Sequence, residues 1–554
     1  MTSLGTPELV VGSVSSVYSI RDSIESYRRS QLLCSTARVV SVGLNTDDEP
    51  SLADDNEETL LTSHPGTRTP QAAFVRDLGW DEDEPVISAY PSLQRPVHIF
   101  NESHREVQPP RVRGHVSTDE RTPLLSRVSD APSTPRHPPN SVPPKPTAIG
   151  QSTFSQTLFN ATALLLGIGM LSEPLAFSYA GWICGTLLVI LYGIITCYTA
   201  KFLAGIVISD SHVRTYADIG KKAFGARSMP LVNFMFCFET FSVGVILVTL
   251  YADSLNAIIP AISSDTYKLL GLVILTPTVF LPLSFLSYAS LLGIASTVLL
   301  IGVVFVDGLS KFDAPGSLWS PAETSFSFCN LEELGLAFGL FMAGFGAHAA
   351  LPSLARDMAE PHRFNEAMNY AFGFATAVYA LIGTAGYLMF GNDVYDEVSQ
   401  NLLQVPGYNP ALNRLALWML VVTPLTKFAL STRPLNFALE AVCGLDAHDD
   451  DLEADQKPPV TWVRKLNRSL RRVLIACERI SIVCLTVVVS ILVPNFGTVM
   501  AILGSFSVFV LCVIGPIAAK MSLGDTTIVD VVILTSSIVM ALWGTVAAFW
   551  STIR

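Results

Sequence analysis

The 554-residue chain is 50% hydrophobic and only 15% charged, with a mean hydropathy of +0.44, whereas soluble globular proteins carry about 25% charged residues; a single soluble domain is excluded. The net charge of −12 comes with no basic groove or stacking platform, so nucleic acid is not a partner. Its nine cysteines form no CxxC pair or Cys/His cluster, and HExxH, GxxxxGK[ST] and GxSxG are absent, so no metal, cofactor or enzyme chemistry is expected.

Residues 1 to 149 hold 14 of the 35 basic and 20 of the 47 acidic side chains. Runs such as TDDEPSLADDNEE and SDAPSTPRHPPNSVPPKP cannot bury enough apolar surface to offset the entropy of ordering. This arm is expected to be cytosolic and largely disordered, with a transient helix around Val17 to Leu33. No apolar leader with a cleavage site opens it, so the first membrane helix is expected to serve as the targeting signal. Within the arm, ERTPLL pairs the Glu120 carboxylate with Leu124 and Leu125. That is the pattern of an acidic dileucine sorting signal, whose partner is a sorting adaptor.

From residue 150 to 554 the chain reads as a membrane domain. A helix rises 1.5 Å per residue, so roughly 20 apolar residues cross the hydrocarbon core. Eleven runs fit: Phe154 to Phe177, Trp182 to Ile206, Leu231 to Tyr251, Leu269 to Phe285, Tyr288 to Val306 and Leu334 to Leu354, then Ala367 to Met389, Leu415 to Leu435, Val473 to Val493, Thr498 to Ala518 and Ile528 to Phe549. These runs are apolar on nearly all sides for twice the length of a barrel strand, which makes a β-barrel a poor alternative; Pro277 and Pro282 interrupt the fourth and fifth runs, which leaves ten or twelve spans as the other counts. The fold class is therefore all-α and polytopic. Thirteen Lys and Arg between Arg214 and Lys520 fall in connections on one side, against Lys268, Lys311, Arg414 and Arg554 on the other. The positive-inside rule then puts the amino terminus in the cytosol and the carboxyl terminus outside or in a lumen.

The first run contains GIGMLSEP. Gly167 and Gly169 tolerate backbone angles closed to other residues, and Pro174 breaks a straight helix. An unwound stretch is expected from Gly167 to Glu173, exposing backbone groups that only a polar cavity tolerates. The sixth run repeats the theme: Gly339, Gly344 and Gly346 precede His348, and Pro352 follows. His348 reads either as a substrate or proton ligand or as a neutral hydrogen bond between helices. Glu173 and Glu239 are intramembrane carboxylates, each needing a partner, water or a proton, and with His348 they are the proton-coupling candidates. Glu239 reads equally as a lock between helices. Lys427 and Arg433 lie where snorkelling explains them as well as coupling does. Tyr251 and Asp307 read as boundary residues. Cys329, in a polar connection, is expected to be exposed.

The stretch STFSQTLFNATALLLGIGMLSEPLAFSYAGWICG, Ser152 to Gly185, resembles the fungal vacuolar amino acid transporters of the amino acid/auxin permease family, to which the vesicular inhibitory amino acid transporter also belongs. The resemblance extends over residues 150 to 554 and includes the sixth-span glycines. It implies an inverted repeat of five plus five helices with one added helix, and proton antiport that carries amino acids into the vacuole. It also implies that Gly167, Ile168, Gly169 and Met170, with Gly344, Phe345 and Gly346, contact the amino acid. Many members carry a small or apolar residue where Glu173 stands. An amino acid sensor signalling through the arm, and an exporter or symporter, are the alternative readings.

Overall fold

The computed structural model describes residues 14–36, 150–210, 212–443, 445 and 468–553. The sorting signal expected at Glu120, Leu124 and Leu125 lies outside them. Among the described residues all regular structure is helical, apart from one isolated bridge between Ser152 and Met358. Nine of these helices are long and apolar enough to cross a membrane. Their outer faces expose Ile183, Leu187, Ile194, Val298 and Leu542, far more apolar surface than water tolerates. The chain is an all-α, multi-pass membrane protein.

In chain order the helices are α1 (Val14–Thr36), α2 (Phe154–Leu165), α3 (Glu173–Ser209), α4 (Tyr216–Phe224), α5 (Met229–Ile258), α6 (Ser264–Thr278), α7 (Leu283–Ser310) and α8 (Leu331–Gly344). There follow α9 (Leu351–Asp357), α10 (Phe364–Phe390), α11 (Val398–Gln404), α12 (Pro410–Val442), α13 (Arg468–Leu492), α14 (Phe496–Ile502), α15 (Gly515–Ser522) and α16 (Ile528–Ile553). α1 falls on the short helix expected in the arm.

α3 is two helices joined at Gly181, whose φ of 72° lies in the region open to glycine. A Cβ there would also strike the Ser327 backbone at 2.6 Å. Across the joint, a Cβ on Gly185 would sit 2.7 Å from the Phe177 ring, although eight residues of straight helix span about 12 Å. The chain therefore folds back at Gly181, and the single apolar stretch Ile168–Ser209 holds the end of the first expected run and all of the second. α6 is only 15 residues long. Pro277 sits in its last turn and Pro282 caps α7, so the fourth run stops at Thr278 and the fifth starts early, at Leu283.

In lipid there is little hydrophobic drive between helices, so close packing and internal polar bonds hold the bundle. A Cβ on Gly339 of α8 would overlap the Ala501 carbonyl of α14, and one on Gly504 would overlap the Gly339 carbonyl. Beyond Ile502 the helix widens into π turns, Leu503–Val508 and Val510–Ile514, which leave carbonyls in need of donors. Tyr216 donates to Leu511 O at 2.5 Å and Thr199 to Cys512 O at 2.7 Å. Tyr251 and Asp307 are both buried: a Cβ on Gly271 of α6 would lie 3.1 Å from the Tyr251 ring, and residues 311–330 fold over the end of α7, with Leu318 N–H donating to Gly308 O at 2.8 Å.

Two ion pairs tie helices together inside the bundle. Arg479 of α13 donates to Glu440 of α12 at 2.8 Å. Lys520 of α15 meets Asp530 of α16 at 2.7 Å, and Tyr198 of α3 both accepts from Lys520 at 2.7 Å and donates to Asp530 at 2.8 Å. Removing one partner leaves the other charge buried, at a cost of about 3–5 kcal/mol. Lys520→Met is therefore expected to lower the midpoint of thermal unfolding in detergent sharply. Adding Asp530→Asn to it should recover most of the loss.

Candidate functional site: a cavity between two interrupted helices

α2 begins on a capping box, with Thr153 and Gln156 satisfying each other's backbone N–H, an arrangement that stabilises a helix start by about 1 kcal/mol. It stops at Leu165. Gly167 is extended, Ile168–Ser172 form a 3₁₀ turn, and regular helix resumes at Glu173 with Pro174 in its first turn. The sixth expected run has the same construction. α8 stops at Gly344, His348–Ala350 form a 3₁₀ turn, and α9 starts at Leu351 with Pro352 in its first turn. Proline lacks the donor that the preceding turn would need, so each sequence ends one helix and starts another.

The two interruptions touch. A Cβ on Gly169 would lie 2.7 Å from Gly344 Cα and 3.1 Å from Gly344 N. The Tyr379 hydroxyl of α10 lies between the carbonyls released at the two breaks, hydrogen-bonding to Leu165 O and, at 2.7 Å, to Gly344 O. One of three tyrosines in an apolar run, Tyr379 gives no sequence signal of such a contact, which joins residues 214 positions apart.

On one side of this junction lies a cavity of about 300 Å³. Gly167 and Ile168 line it from the first break, and Gly346 and Ala347 from the second. Most of the remaining wall is apolar, including Leu164, Val243, Leu247 and Leu430, with Thr240, Ser353 and Ser431 among its hydroxyls. Two charged side chains enter it, Glu239 from α5 and Lys427 from α12. They do not pair with each other or with any described residue. The Lys427 stem lies where Gly293 of α7 has no side chain; a Cβ there would reach 2.6 Å from Nζ. That seat turns the ammonium inward. Only the tertiary contact with Gly293 reveals this placement.

Of the residues singled out in the sequence, Gly167, Ile168, Gly346, Glu239 and Lys427 meet at the cavity. Gly169, Met170, Gly344 and Phe345 are packed behind it; Phe345 is fully buried, its ring 5.2 Å edge-on from that of Tyr379. Glu173 is also fully buried, one carboxylate oxygen 3.0 Å from the place a Gly344 Cβ would take, and neither oxygen has a hydrogen-bond partner among the described residues. His348 is buried away from the cavity, its Nε2 within 2.9 Å of Thr199 Oγ1 and 3.1 Å of Thr196 O on α3. That is the placement of a hydrogen bond between helices. Cys329 is exposed and free.

α5 serves as a ruler through the structure. The first cavity follows it from Val232 to Leu247, and a second, of about 820 Å³, meets it at Asp253, Asn256 and Ala257. Val232 and Asp253 are about 30 Å apart at 1.5 Å per residue, one hydrocarbon thickness. Asp265, Asp393, Asp396 and Lys268 also line this second space. Next to it Glu397 is fully buried, and burial first, then the charges of Asp253 and Asp396, push its carboxyl well above the usual range. A proton held more tightly in the folded than the unfolded chain adds stability at low pH, lost as pH rises through the folded value. Thermal unfolding should show the wild type losing ground to Glu397→Gln as pH rises from 4.5, the ordinary glutamate value. Parallel pH profiles would remove the assignment.

The family described as "Transmembrane amino acid transporter protein" matches residues 150–554. In Arabidopsis thaliana, amino acid transporter AVT1D is 28% identical over 387 residues, covering 67% of this chain and 64% of its own length. AVT1C is 30% identical over 383 residues, covering 67% and 64%, and AVT1J 26% over 421 residues, covering 72% and 91%. The chain thus spans less than two thirds of AVT1D and AVT1C. A manganese transporter of Eremococcus coleocola aligns over 73% of this chain and 90% of its own at 13% identity, with a TM-score of 0.44, too weak a likeness to fix the helix arrangement. Among the described residues no group of three His, Cys, Asp or Glu side chains is placed to hold a metal ion. The chain belongs to the transmembrane amino acid transporter family and is a transporter homologue.

Proposed function

We propose that this member of the transmembrane amino acid transporter family carries amino acids across the vacuolar membrane in exchange for protons, moving them from the cytosol into the acidic lumen. The observation that carries the reading is that both interrupted helices open onto one cavity, through Gly167 and Ile168 on one side and Gly346 and Ala347 on the other. Backbone N–H and C=O groups freed at mid-membrane suit a zwitterion, and an apolar wall suits a neutral side chain. Lys427 faces the substrate carboxylate and Glu239 its ammonium, so one positive and one negative group balance a ligand of no net charge. Glu173, behind Gly344, carries the coupled proton. His348 positions α3 against the second break.

The matched construction of the two breaks favours eleven spans arranged as five plus five and one more, with residues 150–554 as the transport domain and the arm in the cytosol. In that orientation the cavity beside α4 faces the cytosol and the acidic space beside Glu397 faces the lumen, which places the carboxyl terminus there. The dileucine signal in the arm directs the protein to its membrane through a sorting adaptor.

Purified protein in liposomes, given each standard amino acid in labelled form under an imposed pH gradient of either sign, tests this reading. Saturable uptake of neutral amino acids, driven by an acidic interior, is expected. Lys427→Met should raise KM by about tenfold or more, the worth of one charge-assisted bond. Uptake of none of them under either gradient would end the proposal, and binding without flux would favour the sensor.

A further inference from the structure

The amino-terminal helix α1 is seated on the transport domain. Tyr27 and Gln31, one turn apart on one face, line the 300 Å³ cavity. Tyr27 is 2% exposed and packs edge-on against Phe159 with ring centres 5.8 Å apart. The seat is polar and specific. Arg29 donates to Asp357 at 3.2 Å, to Gln151 at 3.0 Å and to Ser152 Oγ at 3.0 Å. Ser26 Oγ lies 3.0 Å from Ser152 Oγ and accepts from Asn160 at 3.1 Å, while Gln156 donates to the Asp22 carbonyl at 3.2 Å.

These partners fall on two different pieces of the machinery. Ser152, Gln156 and Asn160 belong to the start of the first interrupted helix, and Asp357 ends the second. The two pieces are themselves joined by Ser152 N–H donating to Asp357 O at 2.7 Å and Ala359 N–H donating to Ser152 O at 2.8 Å. A single guanidinium therefore clasps both broken helices at once, and its full set of bonds exists only while α2 and α9 stay together. Any transport cycle in which these halves separate must release Arg29.

We propose that α1 is a displaceable plug: it closes the cavity on the α4 side, holds the two broken helices in one conformation, and competes with the ligand for the cavity. It rests on the substrate reading only in its choice of competitor. Because α1 is part of the same chain, its local concentration is high, and a weak seat suffices to hold it. Ligand affinity is reduced by the fraction of molecules with the plug in place.

Two full-length variants test it, Arg29→Glu, which breaks the clasp, and Tyr27→Ala, which withdraws the side chain from the cavity. Each is combined with Ser431→Cys in a chain otherwise free of cysteine, and labelling by an impermeant thiol reagent is followed in liposomes without substrate. Labelling is expected to accelerate about tenfold in both variants over the parent chain, equivalent to about 1.4 kcal/mol of seating. In the cysteine-containing background, KM for the amino acid best taken up by the parent should fall by a similar factor. Equal labelling rates in all three chains would overturn the plug. A parent chain that takes up no amino acid would overturn the substrate reading, and the labelling comparison would still decide the plug.

Discussion

Glu173→Gln is expected to reduce uptake driven by a pH gradient at least about tenfold, while leaving exchange of internal for external amino acid in place. Glu173 is fully buried and neither carboxylate oxygen meets a donor, so the ionised form has nothing at hand to replace its lost hydration. It must be stabilised by movement, by water or by a proton. Its neighbours, Gly344 at the second break and Gly383 on α10, make it sensitive to any shift of the two interrupted helices. Glutamine keeps the volume and cannot exchange a proton. The folded protein should lose no more than about 1 kcal/mol, a change near the centre of ordinary single substitutions. Counterflow and gradient-driven uptake, measured in the same liposomes, separate binding from coupling. Equal gradient-driven uptake by both proteins would remove Glu173 from the proton path.

A methyl group at residue 169 is expected to cost more than one at Gly167, Gly344 or Gly346. Its Cβ would sit 2.7 Å from the Gly344 Cα and 3.1 Å from its nitrogen. Both are backbone atoms, so relief requires one broken helix to move away from the other. Overpacking of this kind costs about 1–3 kcal/mol. The separation should also disturb the Tyr379 hydroxyl, which lies between Leu165 O and Gly344 O. Gly169→Ala should lower thermal stability and reduce uptake by about tenfold or more. Gly167→Ala provides the control for folding, because a Cβ there meets nothing nearer than the Leu165 carbonyl at 4.0 Å. It should unfold at the wild-type temperature whatever it does to binding. A Gly169→Ala protein as stable and as active as the wild type would mean that the two breaks need not touch.

Periodic and local features are legible in the sequence. Length and apolarity identified membrane helices because lipid admits no unsatisfied backbone, and Gly167 followed by Pro174 marked a break because each residue acts on its own turn. The first two runs divide between Phe177 and Trp182, the stretch that holds the kink at Gly181, although nothing in the sequence singles out that glycine. Among the substrate candidates, the residues that reach the cavity alternate with others packed behind it. Gly167 and Ile168 face it, whereas Gly169 and Met170 do not, because two positions along a helical turn of either kind carry a residue to the opposite side.

Sequence by itself determined that this is a polytopic helical membrane protein, where its first and sixth spans break, and which ionisable residues lie within membrane. Tertiary structure alone decided which of those residues share a space. It turned His348 toward Thr199, seated Lys427 on Gly293, set Tyr379 between the two breaks and laid α1 across them. Each of these depends on a partner more than 100 positions away. Helix breaks are written in neighbouring residues, but what a buried side chain meets is set by how distant helices pack.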